Sequence, residues 1–124
     1  MIVLDASAWV DVLTAGAATT LLDDRIAVPP HFDAEVVGAV RALVQRGVLT
    51  PDLAELAVDR HLRAPFEREF ESDDLRTAWR MREAMSLADG WYVALARRLG
   101  ATWVTSDLRA AEAARRLGVQ VATT

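Results

Sequence analysis

Short apolar runs rich in β-branched residues alternate with longer stretches whose apolar residues recur at helical spacing, and this alternation most constrains the fold. Ile2-Val3-Leu4, Ile26-Ala27-Val28 and Thr102-Trp103-Val104-Thr105 read as strands, with Val119-Gln120-Val121 as a last one and Pro65–Phe70 as a short strand near an edge. Helices are predicted over Ala8–Leu13, Ala17–Leu22 and Phe32–Arg46, then from the Thr50-Pro51-Asp52 cap with Leu53, Leu56 and Ala57 buried. Others start at the Ser72 cap, at Asp89, and over Leu108–Leu117. Strands separated by helices need right-handed crossovers, so the expected architecture is α/β in three layers, a mainly parallel central sheet covered on both faces.

At 124 residues the chain is expected to form one domain over 1–124 and to bury roughly two thirds of the surface its unfolded form exposes. Its 52% hydrophobic and 26% charged residues exclude disorder as the default. No apolar stretch is long enough to span a bilayer, and Asp5 and Asp11 interrupt the N-terminus, so neither a membrane span nor a secretion signal is expected. The absence of cysteine fits a reducing compartment, and a cytoplasmic location is expected. All 14 basic residues are arginine, which reads as the codon bias of a GC-rich bacterial genome. A net charge of −4 argues against a generic nucleic-acid binder. Four acids gathered around divalent metal would reverse the local sign, so net charge does not settle the partner.

The acids carry the chemistry. Asp5 and Asp107 each end a strand, while Glu35 and Asp89 each start a helix, which places all four at one edge of a parallel sheet. Ligands bind outside the carboxyl ends of such strands. Taken singly, Glu35, Asp89 and Asp107 read first as helix-start acids, the commonest use of acids at such places, and Asp5 could cap the next helix. Four independent caps, however, would not need to converge on one edge. A carboxylate cluster repels itself, and a divalent cation with oxygen ligands, Mg2+ or Mn2+, removes the conflict.

These residues also carry a resemblance. Ile2-Val3-Leu4-Asp5-Ala6-Ser7-Ala8-Trp9, Pro30 followed by Glu35-Val36, Asp89-Gly90-Trp91-Tyr92-Val93-Ala94-Leu95-Ala96 and Val104-Thr105-Ser106-Asp107-Leu108-Arg109 resemble, in order, the four motifs of PIN domains. The similarity is greatest to the VapC toxins of bacterial toxin–antitoxin pairs and covers nearly the whole chain. Gly90, where alanine is usual, and Gly38, where asparagine is frequent, depart from the pattern without removing an acid. The resemblance implies a PIN-like domain and Mg2+- or Mn2+-dependent endoribonuclease activity. It further implies Asp5, Glu35, Asp89 and Asp107 as metal ligands and catalytic acids, a VapB-like antitoxin, and a homodimer. Ser7 and Thr105 would be auxiliary polar groups, or simply a helix cap and a strand residue.

Other side chains leave open readings. Arg109 is either a phosphate contact or a solvated arginine, as are the pairs Arg80/Arg82, Arg97/Arg98 and Arg115/Arg116. His31 could face the acids; His61 has no evident partner. The four tryptophans read as core or interface, and Trp9, Val10 and Leu13 as an antitoxin or dimer contact. Two rival functions stand beside the toxin: a PIN-like nuclease of RNA or DNA maturation, and a regulatory module whose acids only cap helices.

Overall fold

The computed structural model describes residues 1–15 and 23–124. In chain order these form β1 (Ile2–Leu4), α1 (Ala6–Ala15), β2 (Ile26–Val28), α2 (Phe32–Gln45), α3 (Pro51–Arg63), β3 (Phe66–Arg68), α4 (Ser72–Arg80), α5 (Leu87–Leu99), β4 (Thr102–Thr105), α6 (Leu108–Arg116) and β5 (Val121–Thr123). The sheet order is β3-β2-β1-β4-β5, and all four pairings are parallel. The sheet is thus wholly parallel, as its buried β-branched strands require.

From β1 the chain steps outward to β2 and β3, then jumps back across the sheet to β4 and continues to β5 on the other side. Right-handed crossovers put helices made before the jump on one face and those made after it on the other. Accordingly α1, α2 and α3 contact one another, while α4 packs on α5 and α5 lies against β1 and β4. The strand order reverses between β1 and β4, which makes the crevice at their carboxyl ends the topological switch point where α/β sheets bind ligands. Asp5 directly follows β1, and Asp107 lies two residues beyond β4.

Local chemistry explains most boundaries. Thr50 caps α3 by accepting from the Leu53 N–H at 3.3 Å, with Pro51 at the first position. Ser86 caps α5, which Gly100 closes at φ 62°, a left-handed conformation suited to glycine. Gly90 has a packing reason: a Cβ there would stand 3.3 Å from Ala78 of α4, so an alanine would need the two helices to give by a few tenths of an ångström.

Several expectations need correction. The first helix is Ala6–Ala15, longer than Ala8–Leu13, and Asp5 rather than Ser7 caps it, its Oδ1 accepting from the Ser7 N–H at 2.9 Å. The helix expected over 17–22 lies outside the described residues. Ser72 is the first residue of α4, which stops at Arg80 and is followed by a turn. The last strand begins at Val121 because 119–120 still connect it to α6. On α3, Leu53 and Leu56 are exposed and the buried stripe is Ala54, Ala57 and His61, since small residues let α3 pack close to α1 and α2. Trp9, Val10 and Leu13 are core, which removes them as an antitoxin or dimer contact. Trp79, by contrast, is 59% exposed, with the Arg82 guanidinium 4.4 Å from its ring. Among the described residues no helix is long and apolar enough to cross a membrane.

Candidate active site

Asp5 is held rigidly. Only 6% exposed, its Oδ2 accepts from the Thr105 hydroxyl at 2.8 Å. Its backbone N–H extends the β1–β4 ladder by donating to the Val104 carbonyl at 2.9 Å. Thr105 Oγ1 in turn accepts from the Asp107 N–H at 3.1 Å and lies 3.4 Å from Ser7 Oγ. Ser7 Oγ accepts from the Ser106 N–H at 3.3 Å. The small hydroxyls Ser7 and Thr105 therefore tie the end of β1 to the end of β4. Asp107 caps α6 through Oδ1, which accepts from the N–H groups of Arg109 and Ala110, both at 3.0 Å. Its other oxygen is left to the exposed surface.

Glu35, in the first turn of α2, accepts from the Tyr92 hydroxyl at 2.7 Å. His31 Nε2 stands 3.5 Å from the same carboxylate and 3.1 Å from the Ala88 carbonyl, while its ring stacks on Trp91 with centroids 4.7 Å apart. Burial holds the His31 imidazole below its usual pKa, against the pull of Glu35. Asp89 is the third residue of α5; Ser86 does the capping, leaving the Asp89 carboxylate half-buried.

Electrostatics bring the four acids together. Burial first, then the charges of Asp5, Asp107 and Glu35, push the Asp89 carboxyl up to about 6, with the Ser86 hydroxyl acting in the opposite direction. Asp5 is also raised, mainly by burial, against its hydrogen bonds from Ser7 and Thr105 and with a small push from Asp107. The two acids at strand ends and the two at helix starts thus feel one another's charge at one edge. Asp89 and Asp107 line an open cleft of about 620 Å³, bounded by the 84–86 turn and α6; Asp5 and Glu35 stand outside its lining.

No cation inside the protein offsets this charge: among the described residues Asp5, Asp89 and Asp107 enter no ion pair. An all-oxygen, uncompensated donor set fits a hard divalent cation. Among the described residues no three His, Asp or Glu side chains stand close enough to enclose an ion by themselves. Mg2+ takes one or two carboxylates directly and keeps water toward the rest, so an ion here would be held partly through its water.

The PIN domain family model matches residues 2–116. The chain belongs to the PIN domain family. Within it the chain is of the VapC type. Ribonuclease VapC12 of Mycobacterium tuberculosis is 38% identical over 117 residues, covering 90% of this chain and 91% of that protein. Ribonuclease VapC3 of the same species is 34% identical over 118 residues, 90% of this chain and 86% of that protein. Two solved structures share the PIN fold at lower identity. The M. tuberculosis toxin VapC20, described as cleaving the sarcin-ricin loop, superposes with TM-score 0.65 and 20% identity over 91% of this chain and 95% of that one. PAE2754 from Pyrobaculum aerophilum gives TM-score 0.73 and 18% identity over 97% and 89%.

Sequence reasoning on this PIN domain missed three groups. Tyr92 reads as a core residue, yet its hydroxyl positions Glu35; a tyrosine three residues after an acid on an edge-facing helix is the available signal. His61 is fully buried, its Nδ1 accepting from Trp9 Nε1–H at 3.0 Å and its Nε2 donating to Asp33 Oδ1 at 2.7 Å. Asp33 is the third, gripped by Arg68 through bonds of 2.7 and 2.8 Å. Those contacts join residues 28 to 52 positions apart, which no local pattern announces.

Proposed function

We propose that this PIN domain is an endoribonuclease acting as the toxin of a toxin–antitoxin pair, hydrolysing RNA phosphodiesters with Mg2+ or Mn2+ held by Asp5, Glu35, Asp89 and Asp107. The observation that carries the reading is Asp89, pushed up to about 6 by burial and by three neighbouring acids, with no ion-pair partner among the described residues. Two of the acids do cap helices, Asp5 and Asp107, as a purely structural role requires. Asp89 caps nothing, and capping does not explain why the four charges converge. Relatives named Ribonuclease VapC at 34–38% identity supply the activity class.

When bound, the ion supplies positive charge that activates a water for attack and offsets charge on the phosphate oxygens. The protein's part is positioning. Asp5 is locked by Thr105 and the Ser7 amide, and Glu35 by the Tyr92 hydroxyl, so their free lone pairs point in set directions. Asp89 and Asp107 present carboxylates to the cleft where a phosphodiester enters. One of the four carboxylates would take the proton of the attacking water. A VapB-like antitoxin fits the VapC relatives, and a homodimer and a cytoplasmic setting belong to the same proposal.

The test is cleavage of total RNA and tRNA by partner-free protein in Mg2+, Mn2+ or EDTA, with Asp5→Asn and Asp89→Asn as controls. Discrete metal-dependent products lost in both folded variants are expected. Equal cleavage by Asp89→Asn, or cleavage in EDTA, would overturn the assignment.

A further inference from the structure

The cleft at Asp89 and Asp107 continues past the acids. Its far wall is the outer face of α6, with Arg109, Ala110, Ala113 and Arg116, and its near wall is the turn carrying Met85 and Ser86. Arg109 and Arg116 are both exposed and lie two helical turns apart, about 10 Å along the axis. The alanines between them keep the floor low. This is a groove lined by cations at two levels, opening directly onto the acids.

These arginines are available. Arg25, Arg68 and Arg98 are each held by a carboxylate at 3.0 Å or less. Arg109 enters no ion pair among the described residues. Arg116 meets Glu112 only at 3.9 Å, a solvent-exposed contact worth little. A free guanidinium takes a phosphate through two parallel N–H bonds. Across the groove the half-buried thioether of Met85 offers a soft apolar surface for a base. Besides the Asp89/Asp107 pair, Glu112 on the same face is the groove acid that opposes a polyanion.

The geometry points to a single-stranded RNA path along the outer face of α6, in which Arg109 and Arg116 bind backbone phosphates on one side of the bond placed at Asp89 and Asp107. The inference rests on the ribonuclease reading and extends it to named positioning residues. Because the contacts are to phosphates, they fix register without selecting bases.

The experiment measures binding of a labelled single-stranded RNA by fluorescence anisotropy in Mg2+, with every variant built on Asp5→Asn to prevent cleavage, alongside cleavage by the same variants with Asp5 intact. Arg109→Ala/Arg116→Ala is expected to weaken binding about tenfold and to lower the salt slope by about 1.4, the value for two phosphates on a single strand. Ala113→Phe, filling the groove, is expected to weaken binding similarly with an unchanged thermal midpoint. Glu112→Ala is expected to tighten binding about twofold. Arg25→Ala/Arg97→Ala removes the same charge at the opposite edge of the sheet and is expected to bind as the parent does. Parent-like binding by Arg109→Ala/Arg116→Ala in a protein that still cleaves RNA would overturn the path and leave the nuclease reading standing. Equal losses in both double variants would reduce the effect to net charge and overturn it as well. An intact protein that neither binds nor cleaves RNA in either metal would overturn the nuclease reading and the path together.

Discussion

Two sets of buried or half-buried acids in this domain are treated in opposite ways. Asp74, 4% exposed, is bonded by Arg98 at 3.0 and 3.1 Å, and Asp33 is gripped by Arg68 and by the Nε2–H of His61. At the switch point, Asp5 and Asp89 face other acids and receive only neutral donors. The Asp33 carboxyl is accordingly held below its ordinary value, chiefly by Arg68, and the Asp89 carboxyl far above it. Asp33 and Asp74 are thus paired with arginine inside the fold and the acids at the switch point are not, and the proposed cation site rests on that contrast.

The largest effect expected from this contrast is on activity. Asp5→Asn or Asp89→Asn should reduce RNA cleavage by about a thousandfold or more without loss of fold, and without the rise in melting temperature that Mg2+ should give the parent protein. A variant that still gains thermal stability from Mg2+ with Asp89 removed would place the ion elsewhere. On the paired side the expected effect is on stability. His61→Ala strands Trp9 Nε1 and leaves a cavity among Trp9, Phe32 and Phe66, whose rings pack around the imidazole. A loss of about 3 kcal/mol should follow, roughly 10 °C in melting temperature. Arg98→Ala leaves the Asp74 carboxylate buried without its cation; partial exposure of Arg98 moderates the cost to about 2 kcal/mol. Chemical denaturation of each variant checks both figures.

The smallest effect is the one that reads the contrast through pH. Asp89 binds its proton more tightly folded than unfolded, so in metal-free protein stability should rise as pH falls from 7 through about 6 toward 4. With partial exposure discounted, the gain is about 1 kcal/mol. Asp89→Asn should flatten that segment of the profile. Asp33 has the reverse sign: its contribution is present above the ordinary carboxylate range and lost as pH falls below it. A pH profile of unfolding free energy that lacks the rise toward pH 4 would break the comparison.

Much of the layout was legible before any coordinates. β2 and β4 fall on their expected residues, the short strand after Pro65 sits at the edge, and the four acids were placed at one sheet edge by strand and helix ends alone. Those features are local: apolar runs, prolines, caps. What was not legible depends on packing between distant segments. On α3 both Leu53/Leu56 and Ala54/Ala57/His61 have helical spacing, and hydrophobicity selects the former; close packing selects the smaller stripe. Trp9 looked like surplus apolar surface because its cover, Phe66 at 5.0 Å and His61, lies more than fifty residues away. The arginine partners of Asp33 and Asp74 were hidden for the same reason.

The central strand also sets an order of events. Leu4 finds its register against Val104, and Asp5 receives its side-chain donor from Thr105, one hundred residues later in the chain. Contacts of such separation form late, after loop-closure entropy has been overcome. As the polypeptide emerges from the ribosome, β1 can pair with β2, but the crevice has only one wall until β4 arrives. The arrangement of the acids is therefore among the last features to be assembled during synthesis, and a truncated or still-growing chain carries Asp5 without the neighbours that orient it.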